Sequence, residues 1–236
     1  MTTQVEASAE PRVPLSRDRV LRAAIDLADK SGIGSLTMRK LAQELGVEAM
    51  TLYYYVANKD DILNGIVDIV EGDIELPSPG ANWKAALRKT AISAHEVLVR
   101  HPWAAQLTLA LTGTRPGRWR YMNGILGCLR EAGFSAEMTD HGYHALDSHI
   151  SGFTLWAVQL QFEPEDLPDL AATFLSGLPA GEYPYLVEHV HQHLKKSSPD
   201  DEGEFAFGLD LILDGLERIR DSDRRPSRSS PTGRRR

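Results

Sequence analysis

The stretch from Leu36 to Lys59 reads LTMRKLAQELGVEAMTLYYYVANK, and it decides the fold of this chain. Its first apolar residues recur at the i, i+3, i+4, i+7 spacing of one helix face: Met38, Leu41, Ala42 and Leu45. Gly46 follows, and glycine readily adopts the positive φ that a tight turn between two helices often requires. Residues 49–55 then predict a third helix of barely two turns. Two short helices joined by a tight turn form a helix-turn-helix arrangement.

The segments on either side complete a small helical unit. Ser16 is a suitable N-cap for a first helix that ends at Ser31-Gly32, and Asn58 is a suitable N-cap for a fourth helix. The run Pro77-Ser78-Pro79-Gly80 is a linker signal, so the first unit ends before it. We therefore predict a flexible arm over residues 1–14 and a helix-turn-helix unit over residues 15–75.

The remainder of the chain predicts longer helices and no alternating strand pattern. Helical periodicity is present in four segments: 83–100, 119–133, 139–161 and 205–220. The segment from Phe174 to Tyr185 instead carries glycines and prolines that are typical of an irregular connection. We predict an all-α fold in which residues 82–221 form a second, larger helical domain. Residues 222–236 are predicted to be a disordered basic tail.

Charge is distributed unevenly along the chain. The net charge is −7, yet residues 12–59 hold eight Lys and Arg against five Asp and Glu, and residues 224–236 hold six Arg and no acid. An anionic partner would therefore meet only part of the molecule, and a nonspecific architectural DNA binder, which needs strong overall basicity, is disfavoured. One cysteine, no signal peptide and no long apolar run lead us to expect a soluble, cytoplasmic protein without membrane contact.

The third helix carries polar and aromatic residues on its outward side. Val47 and Leu52 would fill the small core, while Thr51, Tyr53 and Tyr54 would face outward. Thr37, Arg39 and Lys59 flank this helix with the donors that grip phosphates. An αα-hairpin with a merely solvated face is the alternative that spacing alone leaves open.

The same residues resemble the TetR-type transcriptional regulators, specifically the class named for the tetracycline repressor. The resemblance rests on the pattern T-x-R-x-L-A-x-x-L-G-V from Thr37 and on T-L-Y-x-Y-V-x-N-K from Thr51. It continues in Gly113-Thr-Arg-Pro116, Gly133-Phe-Ser135, Gly152-Phe-Thr-Leu155 and the run from Phe207 to Glu217. The resemblance thus covers nearly everything between Ser16 and Arg220, and it implies that residues 82–221 are an effector-binding and dimerisation domain.

This resemblance implies a set of DNA-binding residues. Ala49-Met50 departs from the Gln-Pro of the tetracycline repressor, so one bidentate base contact is missing and thymine methyls become the expected partners. The implied DNA-binding residues are Thr37, Arg39, Ala49, Met50, Thr51, Tyr53, Tyr54, Tyr55 and Lys59.

The effector side departs further from the resembled class. Leu111, Gly152 and Leu160 stand where that class holds a metal-chelated tetracycline, and none of their side chains can ligate a hard cation. We expect an apolar, aromatic effector pocket and no cofactor. Its candidate residues are Trp103, Leu107, Leu111, Thr114, Tyr121, Ile125, His144, His149, Phe153 and Trp156.

The last two long helices are expected to form a four-helix interface between two copies. The candidate interface residues are Phe153, Leu209, Ile212 and Leu216, and Gly208 and Gly215 are expected to let two backbones approach. His189 and His193 have metal-ligand spacing, but no third ligand accompanies them, so no metal site is predicted.

The sequence predicts a homodimeric, ligand-responsive repressor that binds a palindromic operator in double-stranded DNA and is released by a small hydrophobic or aromatic molecule. A helical enzyme or small-molecule carrier remains the rival class. The chain offers no acid-base pair or nucleophile set for catalysis, so we expect no enzyme.

Overall fold

The computed structural model describes residues 14–159, 166–195 and 201–223. Across these ranges the chain forms eleven α-helices, one short 3-10 turn at Ile33–Ser35 and no strand, which confirms the all-α prediction. The helices are α1 (Arg17–Ser31), α2 (Met38–Leu45), α3 (Ala49–Leu52), α4 (Lys59–Gly72), α5 (Trp83–Arg100), α6 (Pro102–Ala110), α7 (Pro116–Glu131), α8 (Ala136–Gln159), α9 (Leu167–Ser176), α10 (Pro184–Lys195) and α11 (Asp201–Asp223). Residues 1–13 and 224–236, which hold nearly all of the predicted arm and tail, lie outside the described residues, as does Leu160.

Side-chain caps begin three helices of the N-terminal unit, and those at Ser16 and Asn58 stand where the sequence predicts them. Ser16 accepts a hydrogen bond from the backbone N–H of Arg19, and the Thr37 hydroxyl accepts one from Lys40. Asn58 Oδ1 accepts from the N–H of Asp61 at 2.8 Å and so begins α4. Each cap satisfies one of the N–H groups that have no partner within the helix, and each contributes about 1 kcal/mol.

The turn between α2 and α3 depends on glycine. Gly46 has a φ of 66° in the left-handed region and ends α2, and the N–H of Val47 reaches back to the carbonyl of Ala42. A side chain at this position would be strained. The helix-turn-helix is thus present as predicted, with the fully buried Leu52 anchoring α3 in the small core.

Several helix bounds differ from the sequence prediction. Helix α3 ends at Leu52 rather than Tyr55, because the N–H groups of Tyr53 and Tyr54 bond three residues back and tighten the chain. Helix α8 begins three residues before Thr139. Helices α9 and α10 both intrude on the predicted connection 174–185, which leaves only residues 177–183 between them.

Helix α5 is at the centre of the larger unit and packs against α4, α6, α7, α8 and α11. His95 on α5 is buried, bonds Thr154 of α8 through Nδ1 at 2.8 Å and stacks on Phe205 of α11 with ring centroids 4.3 Å apart. Phe205 in turn stacks on His149 of α8. This aromatic column joins three helices and sets which side of α11 faces inward.

Helix α11 is further oriented by ion pairs. Lys84 of α5 lies 2.6 Å from both Asp214 and Glu217, and Arg88 bonds Asp210. These ion pairs fix the rotation of α11, in which Leu209 and Leu213 are buried and Phe207, Leu211 and Ile219 stay exposed. No helix in the described ranges is both long and apolar enough to cross a membrane.

Candidate nucleic-acid interface and effector-binding region

We define the α2–α3 surface as six exposed residues of the N-terminal unit: Thr37, Arg39, Met50, Tyr53, Tyr54 and Lys59. Met50 and Tyr54 are 71% and 87% exposed, although both are large and partly apolar. Exposure of this kind, with cationic side chains on either side, suits contact with DNA grooves and phosphates.

The other candidate residues on this unit are less accessible. Ala49 and Tyr55 are half-buried and pack against the core, and Thr51 is half-buried too. Tyr55 instead supports the unit through its backbone, because its carbonyl accepts a hydrogen bond from Arg17. DNA contact by Ala49 and Tyr55 stays a prediction, and only their exposed portions are available for it.

Arg17 and Asp61 hold the end of the helix-turn-helix in place, and sequence reasoning missed both. The Arg17 guanidinium makes two hydrogen bonds to the Asp61 carboxylate at 2.7 and 2.8 Å, and Asp61 also accepts from the N–H of Ala57. The hydrogen bond from Arg17, together with that of Ala57, holds the pKa of Asp61 below its ordinary value. The two residues are separated by 44 positions, and no local pattern connects them.

The ten effector candidates do not form one pocket. Trp103 is buried at the junction of α6 and α1, where its Nε1–H donates to Asp29 at 2.6 Å. His144 is exposed beside Asp140, and Thr114 is exposed in the turn before α7. The prediction that these three line a common pocket is wrong, because each side chain is directed elsewhere. Leu107 and Leu111 are half-buried around α6, and Ile125 lies in the core.

Three of the candidates line an open groove between α8, α10 and α11. The α8 groove has a volume of about 510 Å³ and is lined by Ser148, His149, Phe153, Trp156, His189 and Glu204. Phe153 and Trp156 lie with ring centroids 5.6 Å apart, so the groove offers an aromatic wall. His149 is held in place by the carbonyl of Phe205, 3.0 Å from its Nε2.

Tyr121 lies elsewhere, in a buried polar cluster that sequence reasoning missed. Arg115 donates to Glu71 at 2.9 Å and to the carbonyls of Thr108 and Leu111. Asp68 accepts from the N–H of Gly117 at 2.6 Å, so α4 is tied twice to the start of α7. Burial raises the pKa of Glu71 to about 7, against the opposing effect of the nearby Arg115 guanidinium.

A sequence signal for this cluster does exist. Val67, Val70, Glu71 and Ile74 stand at i, i+3, i+4 and i+7, so Glu71 lies on the apolar stripe of α4. A carboxylate at such a position is buried and needs a partner. Its partner Arg115 lies 44 residues away in the Gly113-Thr-Arg-Pro116 segment.

The predicted dimer residues need correction. Leu209 and Leu216 are 0% and 6% exposed, because the aromatic column and the ion pairs turn them into the protomer's own core. Gly208 faces His149 of the same chain, and a Cβ there would approach its Cε1 to 2.5 Å, so this glycine does not serve a second backbone. Phe153 and Ile212 are half-buried. The apolar residues that α11 leaves exposed are instead Phe207, Leu211 and Ile219.

His189 and His193, the two histidines with metal-ligand spacing, both belong to α10. Within the described part of the chain, no group of three or more His, Cys, Asp or Glu is placed to hold a metal ion. The His193 side chain lies outside the described side chains.

Comparison with known proteins places both units in families. Residues 20–66 match the model for bacterial regulatory proteins of the tetR family, and residues 76–220 match the model for the tetracyclin repressor-like C-terminal domain. The tetracycline repressor protein class D of Escherichia coli is 36% identical over 208 residues, which cover 86% of this chain and 89% of that protein. The transcriptional repressor DrrR1 of Streptomyces coeruleorubidus is 32% identical and covers 89% of this chain and 80% of its own length.

A solved structure has a similar fold. ActR of Streptomyces coelicolor, in complex with actinorhodin, superimposes with a TM-score of 0.71 at 26% identity, covering 88% of this chain and 99% of ActR.

Proposed function

The chain belongs to the TetR family of ligand-responsive, DNA-binding transcriptional regulators, and from this premise we propose that it is a homodimeric repressor released from a palindromic operator by a small hydrophobic or aromatic molecule. The observation that carries the DNA-binding part is the α2–α3 surface, where Tyr53, Tyr54 and Met50 are exposed between Arg39 and Lys59. Because Met50 offers no hydrogen bond to a base edge, the operator is read there by apolar contact with thymine methyls.

Dimerisation is proposed through the outward sides of α8 and α11. Leu211, Gly215 and Ile219 follow one another along α11, and nothing lies within 4 Å of a Cβ built on Gly215 or on Gly152 of α8. Such a stripe of exposed apolar and small residues suits a two-fold helix–helix interface. In the dimer, two α3 helices about 34 Å apart would enter successive major grooves of the operator.

The effector is proposed to bind by apolar and aromatic contact in the α8 groove. Phe153 and Trp156 supply an aromatic wall, and His149 supplies a polar anchor. Support comes from ActR, whose structure contains actinorhodin, and from the relatives named as tetracycline repressors. Leu111 and Gly152 replace the side chains that chelate metal in the resembled class, so induction needs no magnesium.

Release from the operator requires the effector to distinguish two conformations. A molecule that binds both the operator-bound and the released form equally well shifts nothing, however tightly it binds. We propose that the released form holds its recognition helices at a separation that no longer fits two half-sites. Since bacterial DNA lies in the cytoplasm, this function also implies a cytoplasmic protein, and it assigns the chain no enzymatic activity.

The deciding experiment is selection of genomic fragments by the purified protein, followed by titration of the recovered operator at several salt concentrations. Lys59→Ala should weaken binding to every sequence and flatten the salt slope by about one unit, because one phosphate contact is lost. Lys89→Ala is the matched control, since Lys89 is exposed on α5 and pairs with Glu75 at 2.5 Å. Recovery of no preferred sequence, together with turnover of a metabolite, would favour the helical enzyme or carrier instead.

A further inference from the structure

Helix α3, on which the proposed base contacts depend, is only four residues long. A helix of this length makes too few internal hydrogen bonds to fix its own position. Leu52 of this helix is buried, and its neighbours are half-buried or exposed. The direction in which Met50 and the following Tyr53 point therefore depends on how the chain is held before and after α3. Before the helix, the chain is held by the turn at Gly46.

After the helix, an ion pair between α1 and α4 holds the chain. The Arg17 guanidinium donates through Nη1 to the carbonyl of Tyr55 at 3.2 Å and to the Asp61 carboxylate at 2.8 Å, and its Nη2 donates to the same carboxylate at 2.7 Å. Asp61 Oδ2 in turn accepts from the N–H of Ala57 at 2.9 Å. The backbone groups on either side of Val56 are therefore both bonded to the Arg17–Asp61 pair.

The Arg17–Asp61 pair is better suited to setting geometry than to adding stability. The two side chains are 47% and 30% exposed, and solvent weakens the contribution of such an ion pair to the free energy of unfolding. A guanidinium and a carboxylate joined by two N–H···O bonds nevertheless fix each other's orientation, which a lysine cannot reproduce. Lys59 is the first residue of α4 and lies between Ala57 and Asp61, so the pair also holds the chain on both sides of Lys59.

We propose that Arg17 and Asp61 are positioning residues for operator recognition, which set the place of α3 and of Lys59 against the DNA without touching it. Both terminal nitrogens of Arg17 are already bonded within the protein. Base contacts require defined geometry, whereas random DNA is bound mainly through charge, so the pair acts on the preference for the operator. This inference rests on the proposed DNA-binding function and adds two residues that lie outside the α2–α3 surface.

Replacing Asp61 by asparagine separates positioning from electrostatic attraction, because the two predict opposite results. Asparagine keeps the size of the side chain and an oxygen for the N–H of Ala57, but a neutral amide holds the guanidinium less firmly. By charge alone, removing an acid beside Lys59 should strengthen binding to every sequence. If the pair positions α3, Asp61→Asn should instead bind the operator about tenfold more weakly, which is the worth of one good base contact. Its affinity for random DNA should not fall.

Asp60→Asn is the matched control, since Asp60 is the adjacent acid of α4, is exposed and does not bond Arg17. It should bind both the operator and random DNA at least as tightly as the wild type. Arg17→Lys keeps the positive charge but loses the planar fork, so it should weaken operator binding and leave random DNA unchanged. Arg17→Gln should keep the salt dependence of the wild type, because no phosphate contact is lost.

The measurement uses the full-length protein, the operator recovered by genomic selection and a scrambled duplex of the same length and composition. Each duplex is titrated at several salt concentrations. Urea unfolding of every variant accompanies the titrations, and midpoints close to that of the wild type show that lost affinity does not come from unfolding. If Asp61→Asn is too unstable to assay, Arg17→Lys decides the question.

Three outcomes would overturn the positioning role. They are operator affinity in Asp61→Asn and Arg17→Lys equal to that of the wild type, equal losses for the operator and the scrambled duplex, and a salt slope about one unit lower in Arg17→Gln, which would make Arg17 a phosphate contact. Each leaves the proposed function standing as long as the wild type prefers its operator. A wild type without a preferred sequence would instead count against that function.

Discussion

Replacing Glu71 by glutamine should change how the stability of the protein depends on pH. Glu71 is buried, with Arg115, Arg118 and Asp68 as the charged groups that act on it, and burial raises its pKa from 4.5 to about 7. Glutamine keeps the size of the side chain and an oxygen that can accept from Arg115, but it cannot ionise. The difference in unfolding free energy between the wild type and Glu71→Gln therefore reports the ionisation of Glu71.

The direction of this pH dependence follows from the difference in proton binding between the folded and unfolded states. Between pH 4.5 and about 7 the folded protein holds the Glu71 proton and the unfolded chain releases it. Stability from this group is fully present below pH 4.5 and is lost as the pH rises to about 7. The slope approaches 1.4 kcal/mol per pH unit, and the total is about 3 kcal/mol. The free energy of unfolding of the wild type, minus that of Glu71→Gln, should fall by that amount across the interval.

The assay is urea unfolding at a series of pH values from 4.5 to 8, at one fixed protein concentration because the proposed subunit association would contribute to stability. Glu96→Gln is the matched control, since Glu96 is exposed on α5. The free energy of unfolding of Glu96→Gln should differ from that of the wild type by the same amount at every pH. If Glu71→Gln also runs parallel to the wild type over the whole range, the assignment of a buried, proton-holding Glu71 is refuted.

Three further outcomes are expected. Leu211→Asp should yield monomers in light scattering and abolish operator binding, because Leu211 is 56% exposed on the proposed interface; Leu109→Asp, on an equally exposed leucine of α6, should remain dimeric. A monomeric wild type at micromolar concentration would contradict this. Tyr53→Ala should weaken binding to the operator more than to random DNA in competition titrations, and equal losses would remove Tyr53 from base recognition. Trp156→Ala should raise the concentration of a hydrophobic inducer needed to release operator DNA, with operator affinity unchanged in its absence, because the α8 groove loses apolar contact area. Release that requires a divalent cation would refute the metal-free effector site.

Short-range interactions made the structure of the N-terminal unit predictable from the sequence. The caps at Ser16, Thr37 and Asn58, the glycine turn at Gly46 and the helical spacing of apolar residues all act within a few positions of the chain. A helix-turn-helix is assembled from such short-range signals, so both its helices and its outward face could be predicted. Within this unit, the predicted helix bounds were wrong mainly at the end of α3, where backbone hydrogen bonds tighten the chain.

The larger unit shows what only the tertiary structure decided. Periodicity predicted that α11 is amphipathic and strongly apolar, but not which of its apolar residues face the protomer. That choice follows from the stack of His95, Phe205 and His149 and from the ion pairs to α5, which turn Leu209 inward and Leu211 outward.

The buried ion pairs of Glu71 and Asp147 depend on tertiary structure even more strongly. Glu71 meets Arg115 across 44 positions, and Arg118 meets Asp147 across 29. A buried charge shows in the sequence as a break in an apolar stripe, but its partner is chosen by helix packing. A local pattern carries no information about which helices become neighbours, so the chemistry of this site emerges only when α4, α7 and α8 are brought together.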